Sequence, residues 1–148
     1  MNIAVGDVFP EVAGETYDGQ SVRLSDYQGK QHVVLYFYPK DLTPGCTREA
    51  IDFDRKLPEF QRYDAAVIGM SVDPPGSHQQ FATACGLHFP LLSDEGGQLA
   101  ARLGILNERG MARRTTFVLD KNRQVRHIFE VSQVDGHVDE VLNVIKAL

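Results

Sequence analysis

The sequence contains only two cysteines, Cys46 and Cys85, and no tryptophan. Two cysteines are too few for the disulfide framework of a small secreted protein, so reactive thiols are the more informative hypothesis. The chain also lacks repeats, low-complexity tracts and Pro/Ser-rich linkers. Because 148 residues suffice for one domain with its own core, we expect a single domain over residues 1–148.

Long apolar runs and a surplus of positive charge are also missing. No run approaches the roughly 18 residues that a membrane span requires, and no signal-peptide pattern opens the chain, so we expect a cytoplasmic protein without membrane association. The formal net charge is −5. Six of the 15 basic residues do fall between Arg109 and Arg126, where a solvated hairpin rim explains them. Nucleic-acid binding needs a basic face, so no such partner is expected.

Turn residues and hydrophobic runs predict the first elements. Asp18-Gly19 lies between two extended segments and suits a tight turn, which predicts an N-terminal β-hairpin. The run His32 to Tyr38 (HVVLYFY) is typical of a strand buried on both faces at the centre of a sheet. A helix is predicted from Cys46 onward because the apolar residues there recur at helical spacing.

The same signals predict the remaining elements and the fold class. They are a buried strand over 65–72, a helix from an N-cap at Ser77 through Cys85, a short extended segment over 88–92, a helix capped by Ser93 or Asp94 and ending at Gly104, strands over 115–119 and 124–130, and a last helix from His137. This order predicts an α/β, thioredoxin-like fold, with a central mixed β-sheet flanked by helices.

The segment Pro39-Lys-Asp-Leu-Thr43-Pro-Gly-Cys46 lies where the central strand ends and a helix begins. Open α/β sheets place their sites at such points. A cysteine in the first helical turn faces unpaired backbone N–H groups and the positive end of the helix dipole, both of which favour the thiolate. Thr43 can present a hydroxyl to a peroxide beside the sulfur, and Pro39 would shield the thiolate from water. We therefore expect Cys46 to be a nucleophile.

These residues resemble the pattern Pro-x-x-x-Thr-x-x-Cys of peroxiredoxins, and YPKDLTPGCTREA is similar to the Q-type, or bacterioferritin-comigratory-protein, subfamily. The likeness includes VGDVFPEV, FPLLSDE and RRTTFVLD and covers essentially the whole chain. It implies a thiol-dependent peroxidase for hydrogen peroxide and organic hydroperoxides. Cys46 would be the peroxidatic cysteine, Thr43 and Arg114 would bind and polarise the peroxide, and Pro39 would cap the pocket. Glu49, one helical turn after Cys46, is expected to hold the arginine.

A sulfenic acid on Cys46 must condense with a thiol before another cycle. Many Q-type members carry that thiol five residues later, where this chain has Ile51. Another branch carries it on the helix after the second strand, and Cys85 lies on that helix, three residues farther on and on nearly the same face. The resemblance therefore implies an intramolecular Cys46–Cys85 disulfide, recycled by thioredoxin or a similar reductant. Because a disulfide needs closely spaced Cα atoms, local unwinding around Cys46 would accompany it.

Alternatives remain for the thiols and for the arginine. Cys85 could instead be a structural residue on the apolar face of its helix, packed into the core. The protein would then be a one-cysteine peroxidase. A non-catalytic redox sensor or holdase would use the same Cys46. Arg113 is the alternative to Arg114. A thioredoxin-like disulfide oxidoreductase would need a second cysteine at position 49, where this chain has Glu49.

Metal and cofactor signals are weak. Only Cys85-x-x-His88 has the spacing of metal ligands, whereas structural zinc requires four, so no metal is expected. No haem, flavin or nucleotide motif occurs, so no cofactor is expected and electrons would arrive by thiol exchange. Q-type relatives are often monomers, and a monomer is expected here.

Overall fold

A computed structural model describes residues 1–148, with seven strands and four α-helices. In chain order these are β1 (Ala13–Glu15), β2 (Ser21–Arg23), β3 (His32–Phe37), α1 (Pro44–Arg62), β4 (Ala65–Ser71), α2 (Pro75–Cys85), β5 (Leu91–Ser93), α3 (Gln98–Leu103), β6 (Thr115–Leu119), β7 (Val125–Glu130) and α4 (His137–Lys146). Short 3₁₀ turns precede β3 and α3. None of the helices is both long and apolar enough to cross a membrane.

Five strands form one mixed sheet in the order β5-β4-β3-β6-β7. β3 pairs in parallel with β4 and antiparallel with β6, which confirms its predicted central position. β1 and β2 form the predicted antiparallel hairpin. The segment predicted only as extended supplies β5, a parallel edge strand beside β4. The predicted α/β architecture is therefore confirmed.

β3 is buried on both faces because layers cover the sheet on each side. Side chains along β3, and that of Tyr38 directly after it, point alternately to the two faces of the sheet. Val34, Tyr36 and Tyr38 belong to one apolar cluster, and Val33, Leu35 and Phe37 belong to another. The first cluster also takes side chains from α1, α2 and α4, whereas the second takes them from the hairpin and α3. Cys46 belongs to the first cluster and Cys85 packs against it, so both thiols lie on the same side of the sheet.

The predicted N-cap at Ser77 is wrong. α2 begins at Pro75, with Pro74 in the N-cap position and no side-chain cap. Proline suits the first helical position because it lacks the N–H that would remain unpaired there and its φ is already helical. The Ser77 hydroxyl instead donates to Asp41 Oδ2 over 2.8 Å, outside the helix.

Gly97, and not the predicted Ser93 or Asp94, is the N-cap residue of α3, but the Asp94 side chain does bind the first turn of this helix. The two carboxylate oxygens of Asp94 accept the backbone N–H groups of Leu99 and Ala100, each over 2.9 Å. This satisfies donors in the first turn of α3, which have no carbonyl partner within the helix. The helix ends, as predicted, at Gly104, whose φ of 77° is the left-handed conformation that glycine adopts without strain.

Gly69→Ala should destabilise the fold, because β4 has no room for a side chain at this position. A Cβ there would lie 2.7 Å from Leu91 Cδ2 and 3.0 Å from Tyr36 Cζ. Overpacking of this kind costs about 1–3 kcal/mol. The matched control is Gly14→Ala in β1, where the Cβ would make an ordinary 3.6 Å contact. Urea unfolding followed by circular dichroism measures both, and equal free energies of unfolding would contradict the tight packing.

Candidate active site

The sulfur of Cys46 lies in the first turn of α1. Thr43 occupies the N-cap position and Pro44 the first helical position, so Cys46 is the third helical residue. The first intrahelical hydrogen bond runs from Thr47 N to Thr43 O (2.9 Å), which leaves the N–H groups of Gly45 and Cys46 before it without a helical carbonyl. Cys46 is only 1% exposed. A thiolate here gains from the helix dipole in a site largely removed from water.

Arg114, the residue before β6, contacts the sulfur directly. Its Nη2 donates to Cys46 Sγ over 3.3 Å, and its Nη1 donates to Glu49 Oε1 over 2.6 Å. Burial lowers the pKa of Arg114, but the negative charges of Glu49 and Cys46 outweigh it and raise the pKa above its ordinary value. Arg113 points elsewhere and donates to the Gly104 carbonyl over 2.6 Å. The structure therefore brings Arg114, and not Arg113, to Cys46.

Gly45 allows the arginine to come this close, which sequence reasoning missed. A Cβ at Gly45 would lie 3.1 Å from Arg114 Nη2, closer than nearly all such contacts. The absent side chain therefore lets the guanidinium pack against the start of α1. The Pro-Gly-Cys order suggested only a turn, because the partner of Gly45 is distant in the sequence.

Glu49 is fully buried and binds Arg114 through one oxygen only. Burial raises the pKa of Glu49 to about 7, although Arg114 pulls it in the other direction. The second oxygen, Oε2, has no hydrogen-bond partner and lies 3.9 Å from His137 Nε2. Burying the Glu49 carboxylate costs desolvation free energy, because the loss of water around a charge is offset only by well-paired contacts.

His137 and Thr116 extend this network and were also missed. His137 Nε2 lies 2.9 Å from Thr116 Oγ1, and both residues are buried. Burial, together with the positive charge of Arg114, lowers the pKa of His137 to about 4, so the ring is neutral near Glu49. One signal could have identified it: His137 lies four residues before Val141, on the apolar face of α4.

Thr43 and Pro39 flank the helix start in the segment between β3 and α1. The Thr43 hydroxyl donates to the Lys40 carbonyl over 2.9 Å. Its proton is therefore engaged, and its lone pairs are left to accept a hydrogen bond from a substrate. Pro39 is half-buried directly after Tyr38.

Cys85 is the last residue of α2 and is partly buried. Burial, and after it the negative charge of Asp41, raises the pKa of this thiol. Both cysteines are unpaired. His88, which shares a metal-ligand spacing with Cys85, turns to α1 instead, with Nδ1 3.0 Å from Asp54 Oδ2.

His137→Gln should flatten the acid dependence of stability. Folding lowers the pKa of His137 from 6.5 to about 4, so the unfolded state binds more protons than the folded state between these two pH values. The stability that His137 contributes above pH 6.5 is therefore lost as the pH falls toward 4. The loss attributable to His137 is about 2–3 kcal/mol. The contribution of Glu49 to stability has the opposite pH dependence, because its raised pKa means that the contribution is lost as the pH rises through 7. Glu49 is present in both wild type and His137→Gln, so it does not account for a difference between them. Urea unfolding between pH 4 and pH 7 tests this, and parallel curves would refute it.

The chain is similar to known proteins over nearly its whole length. The AhpC/TSA family model matches residues 5–128. Peroxiredoxin Bcp of Escherichia coli K12 is 34% identical over 151 aligned residues, which span 97% of this chain and 96% of the relative. Among solved structures, peroxidoxin BcpB of Mycobacterium tuberculosis superposes with a TM-score of 0.89 at 35% identity and covers 97% of both chains.

A further similar structure is that of Xanthomonas campestris bacterioferritin comigratory protein, reported for its alkyl peroxide reduction activity. It has a TM-score of 0.85 and 34% identity, over 92% of this chain and 90% of that one. These relatives have the thioredoxin-like fold predicted for this sequence. The chain therefore belongs to the AhpC/TSA family, among the peroxiredoxin Q and Bcp proteins, and is a thiol-dependent peroxidase.

Proposed function

We propose that this chain reduces hydrogen peroxide and organic hydroperoxides through a Cys46 sulfenic acid that Cys85 resolves as an intramolecular disulfide. Thioredoxin or a similar thiol reductant then reduces the disulfide. The observation that supports this most directly is the position of Arg114, which donates to Cys46 Sγ over 3.3 Å while Glu49 holds its other nitrogen. A sulfur at a helix start with a fixed cation against it is arranged for nucleophilic attack.

In the first step the Cys46 thiolate attacks one peroxide oxygen and the O–O bond breaks. The sulfur becomes a sulfenic acid, and the other oxygen leaves as an alkoxide or hydroxide that takes up a proton. Negative charge moves from sulfur to the leaving oxygen, and the guanidinium of Arg114 can stabilise it at both ends without rearranging. Thr43, whose hydroxyl proton is engaged by Lys40, accepts the peroxide O–H, and Pro39 limits access of water.

In the second step the Cys85 thiol condenses with the Cys46 sulfenic acid, a disulfide forms and water leaves. The two thiols share one side of the sheet but lie on different helices, Cys46 at the start of α1 and Cys85 at the end of α2. Disulfide geometry requires Cα atoms within about 7 Å, so the first turn of α1 and the end of α2 unwind to meet. Thiol exchange with the reductant restores both thiols.

An exposed leucine beside the helix start supports organic hydroperoxides as substrates. Leu42 and Ile51 are the apolar part of a groove of about 580 Å³, whose other lining residues are Pro44, Thr47, Arg48, Asp52, Arg55 and Asp135. Leu42 is 52% exposed and leaves an apolar side chain free to contact an alkyl group. The activity reported for the Xanthomonas relative is of the same class. The single-domain organisation, the monomeric state and the cytoplasmic location stay predictions from the sequence.

A coupled thioredoxin assay on wild type, Cys46→Ser and Cys85→Ser should separate the roles of the thiols. Cys46→Ser should lose peroxide reduction by a factor of about 10³ or more, because no other group supplies the nucleophile. Cys85→Ser should consume one equivalent of peroxide and then lose thioredoxin-dependent turnover. Mass spectrometry of wild type after one equivalent of peroxide should show one intramolecular disulfide.

Each other outcome identifies an alternative. Full thioredoxin-dependent turnover by Cys85→Ser would indicate a one-cysteine peroxidase with a structural Cys85. Absence of steady-state NADPH oxidation in wild type would favour a redox sensor or holdase. A persistent Cys46 sulfenic acid, or a dimer linked through Cys46, would remove Cys85 from the mechanism.

Gly45→Ala should slow the first step without unfolding the protein. The new methyl would lie 3.1 Å from Arg114 Nη2 and displace the guanidinium by a few tenths of an ångström. Misplacement of a catalytic group on this scale lowers the rate constant by about tenfold. Single-turnover peroxide consumption measures it, with Gly14→Ala as the control far from the sulfur. An unchanged rate constant would mean that the position of Arg114 is not critical.

A further inference from the structure

The active-site loop, residues 38–43, is attached to α2 through a buried carboxylate. Asp41 is 4% exposed and accepts three hydrogen bonds. Tyr38 Oη donates to Oδ1 over 2.6 Å, Ser77 Oγ donates to Oδ2 over 2.8 Å, and His78 Nδ1 lies 2.7 Å from Oδ2. Ser77 and His78 belong to the first turn of α2, which ends at Cys85. One side chain therefore joins the loop before the peroxidatic cysteine to the helix of the resolving cysteine.

Hydrogen bonds from neighbouring residues hold this junction on both sides. His78 is 1% exposed, and its Nε2 lies 3.1 Å from the Leu92 carbonyl, which can only accept. The Asp41 backbone N–H donates to Asp73 Oδ2 over 2.9 Å, and Ser71 Oγ donates to the same oxygen over 2.6 Å. Asp41, Asp73 and His78 are close enough together to share a metal ion, but both Asp41 oxygens, both His78 nitrogens and Asp73 Oδ2 already have hydrogen-bond partners within the protein.

The rest of α2 is weakly packed. Only His78, Phe81 and Ala82 of its 11 residues are buried, so little apolar surface holds it against the sheet. Beyond its C-terminal end, the His88 backbone N–H and Nδ1 pair with Asp54 of α1, at 2.6 and 3.0 Å. A helix with few buried contacts opens at low free-energy cost once such attachments break.

The active-site loop is also strained. Leu42, next to Asp41, has a φ of 64°, a left-handed conformation that a leucine adopts only when its surroundings impose it. The anchored Asp41 on one side and the helix start at Pro44 on the other impose it here. Release of Asp41 would relieve this strain. The negative charge of Asp41 also contributes, after burial, to the raised pKa of Cys85, so its departure would make the resolving thiol more reactive.

We propose that the Asp41–His78 pair is a latch that couples the active-site loop to α2 and sets the balance between two states of the enzyme. In the closed state the pair is intact, Cys46 faces Arg114 and peroxide reacts. In the open state the pair is broken, the start of α1 and the end of α2 are free, and Cys85 condenses with the Cys46 sulfenic acid with loss of water. Asp41 and His78 are thus positioning residues, and the latch rests on the resolving role proposed for Cys85.

Weakening the latch should change the two chemical steps in opposite directions. Asp41→Asn keeps the shape of the side chain and removes the charge that strengthens its hydrogen bonds. His78→Gln replaces a ring whose two nitrogens face Asp41 and the Leu92 carbonyl with a single amide NH₂ group, which cannot reproduce both contacts. In both variants we expect the rate constant for reaction with peroxide to fall about three- to tenfold, because less of the protein is closed, and that for disulfide formation to rise by a similar factor. Quenched-flow mass spectrometry of reduced protein mixed with one equivalent of hydrogen peroxide resolves both steps.

The matched control is Asp54→Asn, which breaks the His88–Asp54 pair just beyond the C-terminal end of α2 without touching the active-site loop. It should speed disulfide formation and leave the peroxide step unchanged. The double variant Asp41→Asn/His78→Gln should resemble either single variant, because both remove one coupling. Hydrogen exchange should show residues 75–85 and 38–46 losing protection together in His78→Gln, with β3 and β4 unaffected.

Three results would overturn the latch. If both rate constants fall together, or neither changes, while the Cys46–Cys85 disulfide still forms, the pair has only a structural role and the proposed function stands. If exchange increases across the whole chain, the variants are globally destabilised and no specific coupling exists. If wild type forms no Cys46–Cys85 disulfide, the resolving role and the latch fail together.

Discussion

The site depends on one buried ion pair. Glu49 is fully buried and accepts a hydrogen bond from Arg114, and Arg114 also donates to the Cys46 sulfur. An unpaired arginine at this depth would be costly, and an arginine free to move would lose much of its effect on the moving charge. The neutral state of His137 beside the pair fits this arrangement, because a second positive charge there would compete with Arg114 for Glu49.

The central sheet brings these residues together. β3 is apolar on both faces and requires helices on each side, and α1 and α4 are packed on the same face. β6 pairs with β3, so the start of β6 lies close to the start of α1. The start of α4 packs there too, where His137 contacts Thr116 of β6. Residues that are 65 positions apart, Glu49 and Arg114, form one contact because the end of one strand and the start of its antiparallel neighbour share an edge.

Two requirements oppose each other at the start of α1. In the proposed mechanism, attack on peroxide needs a rigid, dry arrangement around Cys46, whereas the proposed resolution by Cys85 needs that arrangement to open. The structure separates the two by using different kinds of contact. Apolar packing and the Glu49–Arg114 pair hold the core of the site. Hydrogen-bonded Asp–His pairs hold α2 and the active-site loop in place against the backbone strain at Leu42. Polar contacts of this type can be broken and remade without exposing a large apolar area.

The sequence by itself predicted the elements and pointed to Cys46 as the nucleophile, because these predictions depend on local chemistry. The apolar run of β3, the Asp94 side chain before α3, the glycine that ends α3 and the cysteine after Thr-Pro-Gly are all properties of neighbouring residues. The sequence did not identify Pro75 as the start of α2, because serine is a common N-cap residue and Ser77 was available for that position. In the structure the Ser77 hydroxyl donates to Asp41 instead. Only the tertiary structure decided between Arg113 and Arg114, gave Gly45 and His137 their roles, and joined Asp41 to His78. Each of these depends on which distant side chain occupies the space beside a residue, and that is settled only when the sheet and its helices pack.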